Sequence, residues 1–247
     1  ATSVDRDYPD FTALLSSDVK GLKIGIPEEY YGEGVDNSVK ETVMNAVKDL
    51  EKQGAEIVNI SLPSTKYALN AYYIISSAEA SSNLARFDGV KYGYRTENYD
   101  SLIDMYEKTR SEGFGDEVKR RIMLGTFVLS SGFFDAYYKK AKLVALDIVG
   151  EFNAAFEKCD VIATPATPAT AFRLGENIGD PTKMYAADIC TVTVNIAGLP
   201  AISVPCGKVN DMPAGLQFIG KKFSEQTLLN AAFAVEKNYG EAKPVNV

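Results

Sequence analysis

The chain has 247 residues, of which 46% are hydrophobic and 24% are charged, proportions that are ordinary for a globular protein. Its formal net charge of −7 argues against nucleic-acid binding by this chain alone, because phosphate neutralisation needs clustered Lys and Arg. The sequence contains no histidine, which excludes Ser-His-Asp and Cys-His catalysis and histidine-ligated zinc sites. A catalytic base in such a protein would have to be Lys, Asp, Glu, Tyr or an amine.

Targeting segments and cysteine usage both favour a cytoplasmic protein with no membrane partner. No apolar run of about 18 residues is present, so no transmembrane helix is predicted. The first residues, ATSVDRDYPDF, have neither the basic start nor the apolar core of a signal peptide. Cys159, Cys190 and Cys206 form an odd set without C-x-x-C spacing, which predicts reduced, mostly buried thiols.

The first quarter of the chain has the pattern of a strand, a helix and a second strand. The runs 22–26 and 55–60 are predicted to be strands, the first ended by Pro27 and the second by Leu62-Pro63. Asp36 is the expected N-cap of the helix between them, and Gly54 its C-terminal stop. Five apolar side chains recur at helical spacing in that helix: Val39, Val43, Ala46, Val47 and Leu50. This order predicts a βαβ unit with parallel strands.

The middle of the chain is predicted to be helical, with a loop over residues 87–99. Apolar periodicity indicates four helices, over 65–86, 101–111, 116–129 and 133–158.

The stretch from Cys159 to Gly207 is predicted to hold the core and one wall of a site. The runs 160–164 and 201–204 are typical of buried strands, and we expect each to stop at the proline that follows it. A helix is expected between them, over 182–197. Loops that leave strand ends are where α/β folds place their ligands.

The last part of the chain is predicted to add a strand and a helix. Residues 213–219 are expected to pair with 201–204 across a turn, and Ser224 is expected to cap a helix over 227–239. The predicted fold class is therefore α/β, with helices packed on a mixed, largely parallel β-sheet, in a single domain over residues 1–247.

Three side chains are candidates for ligand binding, and each has a structural alternative. Arg121 is followed by apolar residues and could bind a carboxylate through a bidentate pair, although a solvated surface charge is the simpler interpretation. Asp188 has mainly apolar neighbours, so it needs a partner such as a substrate ammonium, a backbone cap or a buried arginine. Tyr72 lies in an apolar helix, where core packing is the simplest role.

Five segments of the sequence strongly resemble the amidase-signature family, and together they extend over nearly the whole chain. They are GLKIGIPEEYYGEGVD, YYIISSAEASSNLARFDGVKYGYR, RRIMLGTFVLSSGFFDAYYKKA, VIATPATPATAFRLGE and VNIAGLPAISVPCG. Within that family the sequence is similar to the subunits that hydrolyse glutamine for a tRNA-dependent amidotransferase.

The resemblance implies a glutaminase that passes ammonia to a partner subunit, which uses ATP and Mg to amidate glutamyl-tRNA(Gln). It implies glutamine and the other subunits of that complex as partners, tRNA contact only through the partner subunit, and no cofactor in this chain. The family reacts through a Ser-cisSer-Lys triad, in which lysine is the base, and this agrees with the absence of histidine.

The serine-rich signature of the family, with both serines and the lysine, is missing from this sequence. The resemblance therefore implies a C-terminal half that carries the substrate wall and no catalytic residue. By motif matching, the family's glutamine-holding groups fall on Tyr72, Arg121 and Asp188. Arg121 would pair with the α-carboxylate, Asp188 would accept from the ammonium, and Tyr72 would supply a hydroxyl.

Two alternatives remain open from the sequence. The chain could be a fragment of another amidase-signature hydrolase that acts on a different amide, or a non-catalytic module that docks other subunits. If the chain is half of such a fold, the loss of the other half of the α/β sheet is expected to expose apolar surface and promote self-association.

Overall fold

The computed structural model describes residues 3–176 and 181–240. The chain divides into two compact units, one made of Ala1–Leu69 with Asp147–Val247 and the other of Asn70–Leu146. We call them the sheet unit and the helical unit. The expectation of a single domain over the whole chain stays a prediction.

The sheet unit is built on five strands in the order β2-β1-β3-β5-β4. β1 is parallel to β2 and β3, whereas β5 is antiparallel to β3 and β4, so that four strands point one way. The predicted mixed, largely parallel sheet with helices packed on it is therefore confirmed. The strands are β1 (Lys23–Pro27), β2 (Glu56–Ile60), β3 (Val161–Pro165), β4 (Ala201–Val209) and β5 (Met212–Gly220).

Two long helices cover part of this sheet. α1 (Asn37–Lys52) packs against β3, β4 and β5, and α8 (Glu225–Tyr239) packs against β4 and β5. The five apolar residues predicted to face the core of α1 are all buried, so the helical period is confirmed. Gly54 follows α1 with a φ of 104°, a left-handed conformation that favours glycine, as expected for a C-terminal stop.

Asp36 and Ser224 occupy the predicted N-cap positions of α1 and α8, but neither side chain makes the expected capping hydrogen bond. The side chain of Asp36 makes no capping hydrogen bond to α1, and its backbone N–H donates instead to the Pro168 carbonyl at 2.8 Å. The Ser224 hydroxyl makes no cap on α8 and donates to the Lys221 carbonyl at 2.8 Å. For Ser224, this local contact to a carbonyl is an alternative to the cap that the residue type alone does not reveal.

Strand β3 is buried at all five positions, as its apolar run predicts. Because side chains alternate along a strand, both faces of the sheet are covered at this point. The expected stop at Pro205 is wrong, because β4 continues to Val209 with a register shift between Pro205 and Gly207. β4 lies at the edge of the sheet, where proline and an irregular register are tolerated.

The helical unit contains α2, α3 and α4, followed by a π-helical turn and α5, which continues into the sheet unit. The predicted helices over 65–86 and 133–158 are shorter than expected, because a 3-10 turn precedes α2 and the π-helical turn precedes α5. The bounds are α2 (Ala68–Leu84), α3 (Leu102–Gly113), α4 (Asp116–Leu129), the π-helical turn (Phe134–Lys139) and α5 (Lys140–Ala155).

α2 and α4 approach closely inside the helical unit. A Cβ placed on Gly125 would lie 2.0 Å from the Ser77 carbonyl oxygen and 2.6 Å from the Ser81 hydroxyl. Glycine is therefore the residue that this helix crossing accepts at position 125.

No helix in the described part of the chain combines the length and the apolar character needed to cross a membrane. Each of the three cysteines is free and buried, which confirms the prediction of buried thiols.

Candidate functional site

Asp188 lies in a turn of the sheet unit rather than in a continuous helix. Two short helices, α6 (Pro181–Ala186) and α7 (Val192–Ala197), flank the turn over residues 187–191. The predicted single helix over 182–197 is therefore wrong.

The backbone of Asp188 makes four hydrogen bonds to its neighbours in the chain. Its N–H donates to the Tyr185 carbonyl at 3.1 Å, and its own carbonyl accepts from the N–H groups of Thr191 at 2.9 Å and Val192 at 3.1 Å. The Thr191 hydroxyl also donates to the Asp188 carbonyl, at 3.1 Å. Asp188 is therefore partly buried, and its backbone position is fixed by these bonds.

Local sequence weakens the helix at this turn. Thr191, the last residue of the turn, is β-branched, and such residues lose side-chain freedom in a helix. The hydroxyl of Thr191 offers its neighbouring carbonyl a local alternative to the helical ladder.

Two side-chain contacts attach the turn to the rest of the sheet unit. The Gln217 amide nitrogen donates to the Thr164 hydroxyl and to the Cys190 carbonyl, each at 2.9 Å. Just after the turn, in α7, the Thr193 hydroxyl shares a hydrogen bond with the Tyr30 hydroxyl. The side chains of Gln217, Thr164, Thr193 and Tyr30 are all buried.

A cavity of about 150 Å³ borders the same turn. Burial raises the pKa of the Cys190 thiol to about 12 and also raises the pKa of the Tyr30 hydroxyl, so both groups stay protonated at neutral pH. The lining combines these uncharged groups and Ile189 with the charged side chains of Glu29, Glu33 and Lys66.

Arg121 is held on α4 by two neighbours in the helical unit. Its Nε donates to Glu117 Oε1 at 2.8 Å, one helical turn away, and its guanidinium lies over the Tyr73 ring, 5.0 Å from the centroid. The Arg121 side chain is 27% exposed, against 48% for Arg120, which bonds the other Glu117 oxygen. Arg121 is therefore partly buried and oriented, not a solvated surface charge.

Tyr72 is part of the same cluster. Its ring meets the Tyr73 ring edge to face, with centroids 5.2 Å apart and an interplanar angle of 86°. Tyr72 is only partly buried, so it is not a core side chain. The helical unit thus brings Tyr72 and Arg121 together through Tyr73, while Asp188 belongs to the sheet unit.

Three residues that contact the predicted side chains or their backbone were not predicted from the sequence: Tyr73 and Glu117 in the helical unit, and Gln217 in the sheet unit. Glu117 precedes Arg121 by four residues, a spacing that favours an ion pair on a helix and can be read from the sequence. Tyr73 and Gln217 carry no such local signal.

The described part of the chain also has a larger cavity away from the three predicted residues. A cavity of about 660 Å³ lies beside α1 and the ends of β1 and β2, lined by side chains such as Tyr31, Lys40 and Asn59. Within the described ranges, no three Cys, Asp or Glu side chains are grouped closely enough to hold a metal ion.

Comparison with known proteins shows extensive similarity in sequence. The profile of the family described as Amidase matches residues 1–229. The A subunit of the glutamyl-tRNA(Gln) amidotransferase of Caldanaerobacter subterraneus subsp. tengcongensis is 59% identical over 245 residues, which is 99% of this chain and 50% of that protein. The protein of the same name from Thermoanaerobacter pseudethanolicus is 58% identical over the same shares of the two chains.

Solved structures show the same fold. The A subunit of the glutamyl-tRNA(Gln) amidotransferase of Thermotoga maritima superposes with a TM-score of 0.75 at 40% identity, covering 98% of this chain and 48% of that one. A bacterial aryl acylamidase of the amidase signature family gives a TM-score of 0.72 at 19% identity, covering 94% of this chain and 46% of that one. The chain spans about half the length of the relatives that it matches. It belongs to the amidase family.

Proposed function

We propose that this chain is the C-terminal half of the glutaminase subunit of a glutamyl-tRNA(Gln) amidotransferase. The observation that carries the proposal is the 59% identity, over 99% of the chain, to a protein of that kind from Caldanaerobacter. In this role the parent protein hydrolyses glutamine in the cytoplasm. The ammonia passes to a partner subunit, which uses ATP to convert glutamyl-tRNA(Gln) into glutaminyl-tRNA(Gln).

The chemistry of the three predicted residues suits an α-amino acid. In the proposed complex the Arg121 guanidinium pairs with the α-carboxylate of glutamine, because its planar N–H donors match both carboxylate oxygens. Asp188 accepts hydrogen bonds from the α-ammonium, and the Tyr72 hydroxyl provides a further polar contact. An aryl or lipid amide offers no charges that match Arg121 and Asp188, so the pair favours an amino-acid amide.

The role of this half is to hold the substrate. Glutamine fixed at its α-carbon by two charges of opposite sign leaves only the side-chain amide to be presented for attack. In the proposal the nucleophilic serine and the lysine base come from the half of the subunit that this chain does not match. Correct placement of the amide before attack accounts for a large part of such a rate enhancement.

The test uses Arg121 and its neighbour Arg120 as a matched pair. A complete subunit is made by joining this chain to the half of the Caldanaerobacter relative that it does not match. We expect Arg121→Ala to raise the KM for glutamine by about 10–100-fold, the loss that corresponds to one charged hydrogen-bonded contact. The kcat should change by less than about threefold, since the contact is made equally in ground and transition states.

Arg120→Ala is the control, because Arg120 bonds the same Glu117 carboxylate but is more exposed. Its KM should stay within about twofold of wild type. An unchanged KM for Arg121→Ala would remove Arg121 from the site. Appreciable glutamine turnover by the 247-residue chain alone would contradict the assignment of the triad to the other half.

A further inference from the structure

We infer that Gln217, together with Tyr30, positions the turn that presents the Asp188 carboxylate to the substrate. The inference rests on the proposed role of Asp188 in binding the glutamine ammonium. Gln217 and Tyr30 act through the turn and do not themselves touch the substrate, so both are positioning residues.

Gln217 spans the gap between the sheet and the turn. It lies on β5 in register with Thr164 of β3, and its side chain is 5% exposed. Its amide nitrogen has two hydrogens, and the two bonds of 2.9 Å to the Thr164 hydroxyl and the Cys190 carbonyl use both of them. The sheet therefore holds the turn at Cys190, two residues after Asp188.

The position of this glutamine in the strand is itself informative. Its neighbours on β5, Leu216 and Phe218, are fully buried apolar residues. The Gln217 side chain is buried on the opposite face of the strand, where a primary amide is costly unless its hydrogen bonds are made. The two hydrogen bonds, one of them to the Cys190 carbonyl, account for an amide at this buried position.

Tyr30 provides a second attachment, just after the turn. Its hydroxyl bonds the hydroxyl of Thr193 at the start of α7, five residues after Asp188, and both side chains are buried, at 5% and 0% exposure. Tyr30 lies in the 3-10 turn that follows β1, so this attachment comes from another part of the same sheet unit. With Cys190 and Thr193 both held, the carbonyl of Asp188 keeps its bonds to the Thr191 and Val192 N–H groups.

The experiment uses the complete subunit and measures two quantities separately: the stability of the turn, by hydrogen exchange, and the KM for glutamine. Gln217→Met keeps the length of the side chain and removes both hydrogen bonds. We expect faster hydrogen exchange at the amides of Thr191 and Val192, and a KM for glutamine raised about tenfold with kcat within about threefold.

Gln226→Met is the matched control, because Gln226 also donates its amide to backbone carbonyls, those of Leu14 at 3.2 Å and Phe11 at 3.4 Å. It makes the same chemical change away from the turn. Exchange at residues 191–192 and the KM should both stay within about twofold of wild type.

Tyr30→Phe is the second variant, and it decides the matter if Gln217→Met fails to fold. It removes one hydroxyl without changing the ring, and it should give the same pattern of faster exchange and raised KM. Unchanged exchange at residues 191–192 in both variants would overturn the inference, as would a loss confined to kcat.

The outcomes also separate this inference from the proposed function. If Asp188→Asn leaves the KM for glutamine unchanged, the proposed role of Asp188 is wrong. In that case the exchange measurement still shows whether Gln217 and Tyr30 hold the turn.

Discussion

Arg121 shows how immediate neighbours fix a charged side chain without adding much stability. Glu117 binds its Nε and the Tyr73 ring lies beneath its guanidinium. Glu117 is 43% exposed, and ion pairs of this kind contribute only about 0–1 kcal/mol. These contacts therefore orient the Arg121 guanidinium, and they contribute little to the stability of the fold.

Arg121 and Gln217 differ in how far away in sequence their contacts lie, and this decides which of those contacts the sequence predicts. The Glu117–Arg121 pair is four residues apart, so helical geometry alone predicts it. Gln217 bonds residues 53 and 27 positions away, and nothing local distinguishes it from a chance polar residue in a strand. Arg121 and Asp188 themselves follow from family resemblance, since their residue types leave a structural alternative open.

The three buried thiols predict how stability depends on pH. Burial raises the pKa of Cys159 and Cys206 to about 11 and that of Cys190 to about 12, from 9.0. Above pH 9.0 the unfolded chain loses thiol protons that the folded chain retains. The thiol contribution is thus fully present below that pH and is lost as the pH rises toward 11–12.

We expect the free energy of unfolding to fall by about 1 kcal/mol per thiol between about pH 8 and about pH 10. Urea unfolding at the two pH values measures this change. Replacing all three cysteines by alanine is the control, and it should reduce the fall even though it lowers stability at both values. An equal fall in the two proteins would show that other groups cause it.

At the scale of elements, periodicity predicts long helices well and short connections poorly. The bounds of α4 agree with those predicted, and the buried face of α1 is the predicted one. The segment over 182–197 differs from the prediction because, beyond the local effect of Thr191, contacts to Gln217 and Tyr30 hold it, and these residues lie far away in sequence. Strand β4 extends past the predicted stop at Pro205 because a proline that would end a central strand is tolerated in an edge strand.

The crossing of α2 and α4 carries a prediction about two helical glycines. Gly125→Ala places a Cβ 2.0 Å from the Ser77 carbonyl oxygen, a backbone atom that cannot move alone. We expect it to lower the free energy of unfolding by about 1–3 kcal/mol or more. Thermal and urea unfolding followed by circular dichroism measure the loss.

Gly150→Ala on α5 is the matched control, because a Cβ there would meet no atom within 4 Å. Alanine is the better helix former, so this variant should gain about 0.5–1 kcal/mol. Equal stabilities for the two variants would contradict the close crossing.

At the scale of the whole molecule, the chain spans about half the length of the relatives that it matches. The helical unit exposes large apolar side chains, among them Met123 at 74%, Leu143 at 61% and Leu146 at 65%. Phe127, Phe133 and Tyr137 form an exposed aromatic cluster in the same unit, with ring centroids 4.1–6.1 Å apart. Exposed apolar surface of this kind is typical of a face that another chain or segment covers.

The isolated chain is therefore expected to self-associate, because burying this surface is favourable at about 25 cal/mol per Å² of apolar area. Size-exclusion chromatography with light scattering should show a molar mass that rises with concentration above the 26.9 kDa of one chain.

Replacing Met123, Leu143 and Leu146 by lysine should weaken the association, because charges replace the apolar contacts without disturbing a buried position. Adding the complementary half of the Caldanaerobacter relative should compete with it, and binding of a hydrophobic dye should fall in parallel. A chain that stays monomeric at all concentrations and binds no dye would show that these side chains do not form an interface.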